Sequence, residues 1–335
     1  MSNLRCLIRV MASTDQKGFH ICTPLHKSLA LSKVAGTTVY MKLENVQPTG
    51  SFKIRGIGHL CQKAAEESCK HFVCSSGGNA GLAAAFSAQK LQIPATILVP
   101  SSTPEFTIQR LKEYGALVDV VGKVWDDANE QALNLSEKDG WEYVPPFDHP
   151  LIWEGVASIV MELWEALPSK PGAIVLSVGG GGLLCGVVEG LKKVGWCDVP
   201  IVAMETKGAN SLNEAVKAGK LVTLPDITSV AKTLGAKTVC AKAFQNTQEY
   251  TILSEVISDH QALEAVERFL DDERILVEPA CGASLAAIYS GVIQYLQKEG
   301  QLAKDLQSIV VIVCGGSSIT MAQLQEYKTQ LERDQ

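Results

Sequence analysis

Lys53 stands in the run Pro48-Thr49-Gly50-Ser51-Phe52-Lys53-Ile54-Arg55-Gly56, and a helical pattern follows it. This puts the amine near a helix N-terminus, where the partial positive charge of unpaired amides and partial burial both disfavour ammonium. A neutral amine is what imine chemistry with an aldehyde requires. A lysine in a turn is, by itself, ordinary surface decoration, so its meaning depends on what else the chain brings near it.

Two other segments could do chemistry. Cys74-Ser75-Ser76-Gly77-Gly78-Asn79-Ala80-Gly81 lies between a strand pattern at Phe72 and a helical pattern from Leu82. Free backbone N–H groups and small hydroxyls at a helix start form an anion site suited to a carboxylate. A plain strand-to-helix turn with a Ser or Asn cap would read the same way. Ser177-Val178-Gly179-Gly180-Gly181-Gly182-Leu183-Leu184 follows a strand pattern and opens another helix. Four successive glycines let the backbone wrap closely around a phosphate. Glu205 ends the next strand pattern and mimics the acidic ribose partner of a dinucleotide site. The GxGxxG fingerprint nevertheless fails, because its last position falls on Leu184 or Cys185.

These loops need a scaffold of alternating strands and helices. Continuous β-branched runs occur at Phe72–Cys74, Ala95–Val99, Val118–Val121, Ala173–Val178, Ile201–Met204 and Ile309–Val313, as expected of strands buried on both faces. Helical stretches lie between them, including Leu82–Leu91, Trp125–Lys138, Leu183–Val194 and Ala283–Lys298, and Gly115, Gly140, Gly195, Gly219 and Gly300 follow such stretches as C-caps. The alternation predicts an α/β fold with open, twisted, mostly parallel sheets and helices on both faces. Val144-Pro145-Pro146-Phe147-Asp148-His149-Pro150 is the clearest break and marks a crossing between two units. Residues 1–46 and 151–335 are expected to form the larger, and 47–150 the smaller, which carries Lys53 and the Ser/Gly/Asn loop.

Composition narrows the function. The 335 residues carry a formal net charge of −6 with scattered basic residues, which leaves no footprint for nucleic acid or an anionic membrane. No apolar run reaches the ~20 residues of a bilayer span. The 10 cysteines form no CxxC pair and the 6 histidines no HExxH, which argues against zinc and for reduced thiols in the cytoplasm. Met1 to Thr14, with Arg5 and Arg9 and no acid, weakly resembles a transit peptide, which keeps a mitochondrial placement as the lesser alternative.

Together the three loops resemble the fold-type II pyridoxal-phosphate enzymes, the tryptophan synthase β-like group. Within it the chain resembles the animal serine dehydratase and serine dehydratase-like branch. Supporting stretches are Pro146-Phe147-Asp148-His149-Pro150-Leu151-Ile152-Trp153, Ala203-Met204-Glu205-Thr206, Val277-Glu278-Pro279-Ala280-Cys281-Gly282-Ala283 and Val311-Ile312-Val313-Cys314-Gly315-Gly316. The resemblance implies pyridoxal 5′-phosphate as cofactor and L-serine or L-threonine as substrate, giving pyruvate or 2-oxobutyrate plus ammonia in a homodimer with a catabolic role. Lys53 is implied as the Schiff-base lysine and general base, and Phe52 as the stack on the ring. Gly179, Gly180, Gly181, Gly182 and Leu183 are implied to hold the phosphate, Asn79 the ring 3′-hydroxyl, and Ser76, Gly77, Gly78, Asn79 and Ala80 the substrate carboxylate. Cys314 is implied to face the pyridine nitrogen, where an ordinary thiol of pKa ~8.5 protonates the ring poorly and so suits elimination. A K⁺ or divalent ion is implied at Glu205 and the carbonyls of Gly179, Ala209 and Leu234, unless Glu205 is simply a helix-capping acid.

Three other functions share these features: a serine racemase, a β-replacement enzyme of the cysteine synthase kind, and a weakly active pyridoxal-phosphate-binding protein. Racemisation needs an acid/base group on the second face of the reacting carbon, and racemase relatives carry a serine where this chain has Gly77. Gly77 and Thr233 also depart from the Ala found at both positions in closely related dehydratases. The chain after Cys314 reads as one closing helix, Thr320–Glu332, so no C-terminal regulatory domain and no isoleucine feedback are expected.

Overall fold

The computed structural model describes residues 18–333, so the transit-peptide-like segment lies outside the described residues. Ten strands are present among the described residues: β1 (Leu25–Ser28), β2 (Thr38–Leu43), β3 (His71–Cys74), β4 (Ala95–Val99), β5 (Leu117–Val120), β6 (Trp141–Tyr143), β7 (Ala173–Ser177), β8 (Ile201–Thr206), β9 (Ile252–Ile257) and β10 (Ser308–Val313). They form a six-stranded sheet in the order β1-β2-β10-β7-β8-β9 and a four-stranded sheet in the order β5-β4-β3-β6. Every pairing is parallel except β1 with β2. The architecture is therefore the expected α/β fold of two mostly parallel sheets.

The continuous apolar runs behave as expected in the interior, where every residue of β3, β4, β7, β8 and β10 is buried. The run near Val118 differs. β5 is an edge strand with one neighbour, and it leaves Leu117 61% and Val120 55% exposed. The stretch Ala283–Lys298 is two helices, Pro279–Tyr289 and Val292–Lys298, separated at Gly291 with φ +74°. The first of these is buried at every position and has no polar face to place in water.

One charged cluster ties the lysine-bearing helix Lys53–Glu66 to the larger sheet. Arg55 has no solvent exposure, and its guanidinium grips two carboxylates. Nε and Nη2 donate to Glu44 at 2.7 and 2.8 Å, and Nη1 and Nη2 donate to Glu162 at 2.6 and 2.8 Å. Lys42, buried on β2, also pairs with Glu162 and donates to the Thr23 carbonyl at 2.7 Å. Two cations thus meet two anions. Burial opposes the charge on Arg55, but Glu44 and then Glu162 overcome it and raise its pKa.

Removing one member of such a cluster leaves uncompensated buried charge, which costs about 3–5 kcal/mol. Arg55→Ala should lower the free energy of chemical denaturation by about that amount. A loss below about 1 kcal/mol would mean that water or rearrangement replaces the guanidinium.

Candidate active site

The turn before Lys53 is sewn onto the end of β10. Gly50 turns with φ +76°, its N–H donates to the Gln47 carbonyl at 2.7 Å, and its carbonyl accepts from Gly316 N–H at 2.8 Å. Ser51 bridges Gly315, and Phe52 N–H donates to the Cys314 carbonyl at 3.3 Å. Lys53 then begins its helix with the amine pointing at the Pro146 carbonyl, 2.6 Å away. Burial lowers its pKa from 10.5 to about 8, only partly offset by Cys74 and Cys314.

The glycine loop after β7 is a row of unused donors. None of the backbone N–H groups from Gly179 to Leu184 meets an acceptor among the described residues, and the helix Gly182–Lys193 starts there. Gly181 has φ +96°, and a Cβ on it would lie 2.5 Å from Ala243 Cβ. A Cβ on Gly180 would strike the Phe147 ring at 2.3 Å. Phe147 thus lies against the loop, and its carbonyl accepts from Trp153 Nε1 at 3.0 Å.

Asn79 opens the helix Asn79–Leu91 and reaches across to Glu278, which precedes the buried helix. Asn79 Nδ2 donates to Glu278 Oε1 and Oε2 at 3.2 and 3.0 Å, and its Oδ1 accepts from Ser317 N–H at 3.1 Å. Thr233 Oγ1 donates to Glu278 Oε2 at 2.8 Å, and Ser318 N–H to Oε1 at 2.7 Å. Burial raises the Glu278 pKa, while these donors lower it. The thiol of Cys314 is raised well above its ordinary range by the Cys281 thiol beside it and by burial, so it stays neutral.

Of the residues singled out from sequence, Phe52, Lys53, Asn79, Gly179, Gly180, Gly181, Gly182, Leu183, Leu234 and Cys314 line one cavity. Ser76, Gly77, Gly78 and Ala80 stand outside that lining, beside Asn79. No acceptor meets the N–H groups of Gly77, Asn79 or Ala80 among the described residues, whereas the Ser76 N–H is directed at the Cys74 sulfur. Gly77 offers no acid or base, and a Cβ there would lie 3.0 Å from both Val99 Cγ1 and Thr103 Cγ2. Glu205 is fully buried, and its two oxygens accept from Leu212 and Asn213 N–H at 2.9 and 2.8 Å, at the start of the helix Ser211–Ala218. It therefore caps a helix rather than facing a ribose. Burial raises its pKa to about 8 despite these two donors. No cluster of three His, Cys, Asp or Glu side chains that could hold a metal occurs among the described residues.

Comparison with known proteins identifies this combination. The family model described as "Pyridoxal-phosphate dependent enzyme" matches residues 17–315. This chain belongs to that family. A human L-serine dehydratase/L-threonine deaminase is 64% identical over 313 residues, covering 93% of this chain and 95% of the relative. A rat serine dehydratase-like protein is 63% identical over 313 residues, with the same coverage of 93% and 95%. Among solved structures, a fungal L-serine ammonia-lyase from Rhizomucor miehei matches with a TM-score of 0.88 at 37% identity, covering 93% of this chain and 99% of that one.

The residues present fit pyridoxal phosphate. The cavity offers the six-residue row of free amides at a helix start, which suits a phosphate monoester, a desolvated amine, which suits an aldehyde, and a neutral thiol rather than a carboxylate at Cys314. Sequence reasoning missed Glu278 as a site residue, although the stretch containing it was noticed. The available signal was an acid directly ahead of a proline and a helix that is apolar apart from Ser284 and Tyr289, a place where a carboxylate needs a reason to be. Phe147 and the Pro146 carbonyl were likewise unassigned.

The lowered pKa of Lys53 has a readable sign. Its neutral fraction grows as pH rises through about 8, where a lysine of pKa 10.5 would remain ammonium. Capture of pyridoxal phosphate by the cofactor-stripped chain, followed by absorbance in stopped flow, should accelerate through that lower range. A rise confined to pH above about 10 would show that the amine is not desolvated.

Proposed function

We propose that this chain is a pyridoxal-phosphate-dependent ammonia-lyase acting on L-serine and L-threonine, yielding pyruvate or 2-oxobutyrate and ammonia. The observation that carries the reading is the desolvated Lys53 amine in the same cavity as the Gly179–Leu183 amide row and the neutral Cys314 thiol. The names of the human, rat and fungal relatives support the substrate class.

Pyridoxal phosphate, when bound, withdraws electrons from the substrate's α-carbon through its conjugated ring and so makes the α-proton removable. The protein's own groups do the rest. Lys53 Nζ, neutral near pH 8, accepts that α-proton as general base. Amides of Gly179 to Leu183 hold the phosphate, the Phe147 ring packs against that loop, and Phe52 is the stack for the pyridine ring. Ser76 and the unpaired amides of Gly77, Asn79 and Ala80 hold the substrate carboxylate, with Gly78 giving the loop its turn. Asn79 positions the ring oxygen. Cys314 withholds a full proton from the ring nitrogen, which leaves a weak electron sink. The β-hydroxyl would leave as water with the proton that Lys53 has taken up, so that no charge need be stored at the α-carbon.

The same reading divides the chain into a cofactor-holding unit, residues 1–46 and 151–335, and a substrate-loop unit, 47–150. A homodimer is supported by Met161 and Trp164, 37% and 54% exposed on the helix Ser158–Ala166. Cytoplasmic placement is supported by nine free cysteines among the described residues. No helix among the described residues is long and apolar enough to cross a membrane. A cation at Glu205 and the carbonyls of Gly179, Ala209 and Leu234 is supported by the electrostatics. Among the described residues Glu205 is buried with two amide donors and forms no ion pair, and a bare carboxylate there costs several kcal/mol. Exchanging K⁺ for tetramethylammonium should then lower turnover and thermal stability together; insensitivity of both would leave Glu205 as a helix cap alone.

The decisive assay supplies L-serine or L-threonine and follows keto-acid and ammonia release. Lys53→Ala should lose at least a thousandfold, since removing a general base alone costs about 10²–10⁴-fold. The wild type should form no D-serine, because Gly77 provides no group on the second face. D-serine at rates comparable to pyruvate would establish a racemase instead, and a variant lacking Lys53 that still turned over freely would remove that residue from the mechanism.

A further inference from the structure

Four hydrogen bonds converge on the carboxylate of Glu278, and they come from elements on both sides of the cavity. Asn79 stands at the head of the helix that follows β3 in the four-stranded sheet. Thr233, Glu278 and Ser318 belong to segments around the six-stranded sheet. Among the described residues no lysine, arginine or histidine forms an ion pair with Glu278, which is 3% exposed. A carboxylate kept in such a place without a counter-ion acts through its hydrogen bonds.

We propose that Glu278 is a positioning residue that fixes the side-chain amide of Asn79 against the cofactor ring, with Thr233 as a supporting donor. This rests on the cofactor site proposed above. The geometry leaves Asn79 one orientation. A carboxylate can only accept, so Nδ2 must face Glu278 at 3.0 and 3.2 Å. The Ser317 N–H can only donate, so Oδ1 must face it at 3.1 Å. Each end of the amide is therefore held by a partner that cannot reverse its role. The Ser317 carbonyl is itself held by Arg110 Nη1 at 2.7 Å, from the helix Glu105–Glu113 that follows β4. Gly316 completes the clamp. With φ +109°, it lets the chain pass the Glu278 carboxyl, which a Cβ there would meet at 2.1 Å. Thr233 contributes from the side of the glycine loop, and its hydroxyl is committed to Glu278 at 2.8 Å.

Glu278→Gln tests this with almost no change of shape. Whichever oxygen becomes an NH₂ group faces the Asn79 NH₂, and on one side the Ser318 N–H as well, neither of which can turn into an acceptor. Thr233→Val removes the supporting hydroxyl at constant volume. Wild type and both variants are loaded with pyridoxal phosphate, and four quantities are measured: kcat, KM for L-serine, cofactor dissociation constant, and the visible absorbance band of the bound cofactor. Glu278→Gln should lower kcat about 10- to 100-fold with KM changed less than about threefold, and displace the absorbance band, because a misoriented donor is felt at the ring. Thr233→Val should displace the band the same way with a loss of about threefold. A purely structural glutamate would lower stability but leave the band where it is. Glu278→Gln with the wild-type band and kcat within about threefold overturns the clamp. Should that variant fail to fold, Thr233→Val decides: a shifted band supports the clamp, and wild-type kcat with an unmoved band overturns it. A wild type that takes up no pyridoxal phosphate overturns the underlying site reading and the clamp with it. A wild type that loads and turns over beside an unaffected Glu278→Gln overturns the clamp alone.

Discussion

A guanidinium with no access to water determines where the reactive amine can be. Arg55 lies two residues beyond Lys53 on the same helix, and it satisfies its donors only where Glu44 and Glu162 are both in reach. Glu44 begins the short turn after β2, and Glu162 lies on the helix Ser158–Ala166. Any slide or rotation of the lysine helix would separate at least one bidentate pair in a place that water does not enter. Such a cluster contributes little net stability over an apolar core, but misplacing it costs several kcal/mol. Its effect is positional accuracy one helical half-turn from the chemistry. The backbone bonds from Phe52 to Cys314 and from Gly316 to Gly50 then join that fixed helix to the end of β10.

With the amine fixed, the rest of the cavity is an arrangement of donors that the protein leaves unanswered. The glycine loop exposes amides because side chains there would collide with Phe147 and Ala243, so close packing and phosphate binding ask for the same residue type. A helix start with free N–H groups is expensive to bury unless an anion answers it. Away from the cavity some buried hydroxyls answer each other, as Thr206 and Ser229 do at 2.8 Å, while the Asn246 amide and the Ser211 hydroxyl are left without a partner among the described residues. What sets the glycine loop apart is that its unanswered donors form one continuous row at the head of a helix.

The parts of this design visible in sequence were those carried by short-range signals. Continuous apolar runs located the parallel strands because burial on both faces removes the need for alternation. Glycines marked the helix ends at Gly115, Gly140, Gly195, Gly219 and Gly300, all of which have positive φ. The three loops were legible because their residue types are unusual for a turn. What stayed hidden depends on pairs far apart in the chain. Edge position exposed β5, and nothing within Leu117–Val120 records which strand lacks a neighbour. The Arg55 cluster joins residues 42, 44, 55 and 162, each unremarkable among 66 charged side chains, 30 basic and 36 acidic. Glu278 gained meaning only when folding placed Asn79, Thr233 and Ser318 around it.

The charges near the cavity explain why elimination suits this site better than reactions that hold a carbanion. In the proposed reading a ring nitrogen would face the neutral Cys314 thiol and draw electrons weakly, and the buried carboxylate of Glu278 adds a negative influence on that thiol. Negative charge developing at the α-carbon therefore has little to rest on. A reaction that expels a β-substituent in the same direction disposes of that charge as it forms, whereas racemisation must store it until a proton arrives from the second face. In the proposed reading that face belongs to Gly77, which has no group to give, and Val99 and Thr103 already crowd the space where a side chain would begin. A weak sink and an empty second face thus reinforce each other. Either alone would slow racemisation, and together they leave departure of the hydroxyl as the easier exit for the substrate.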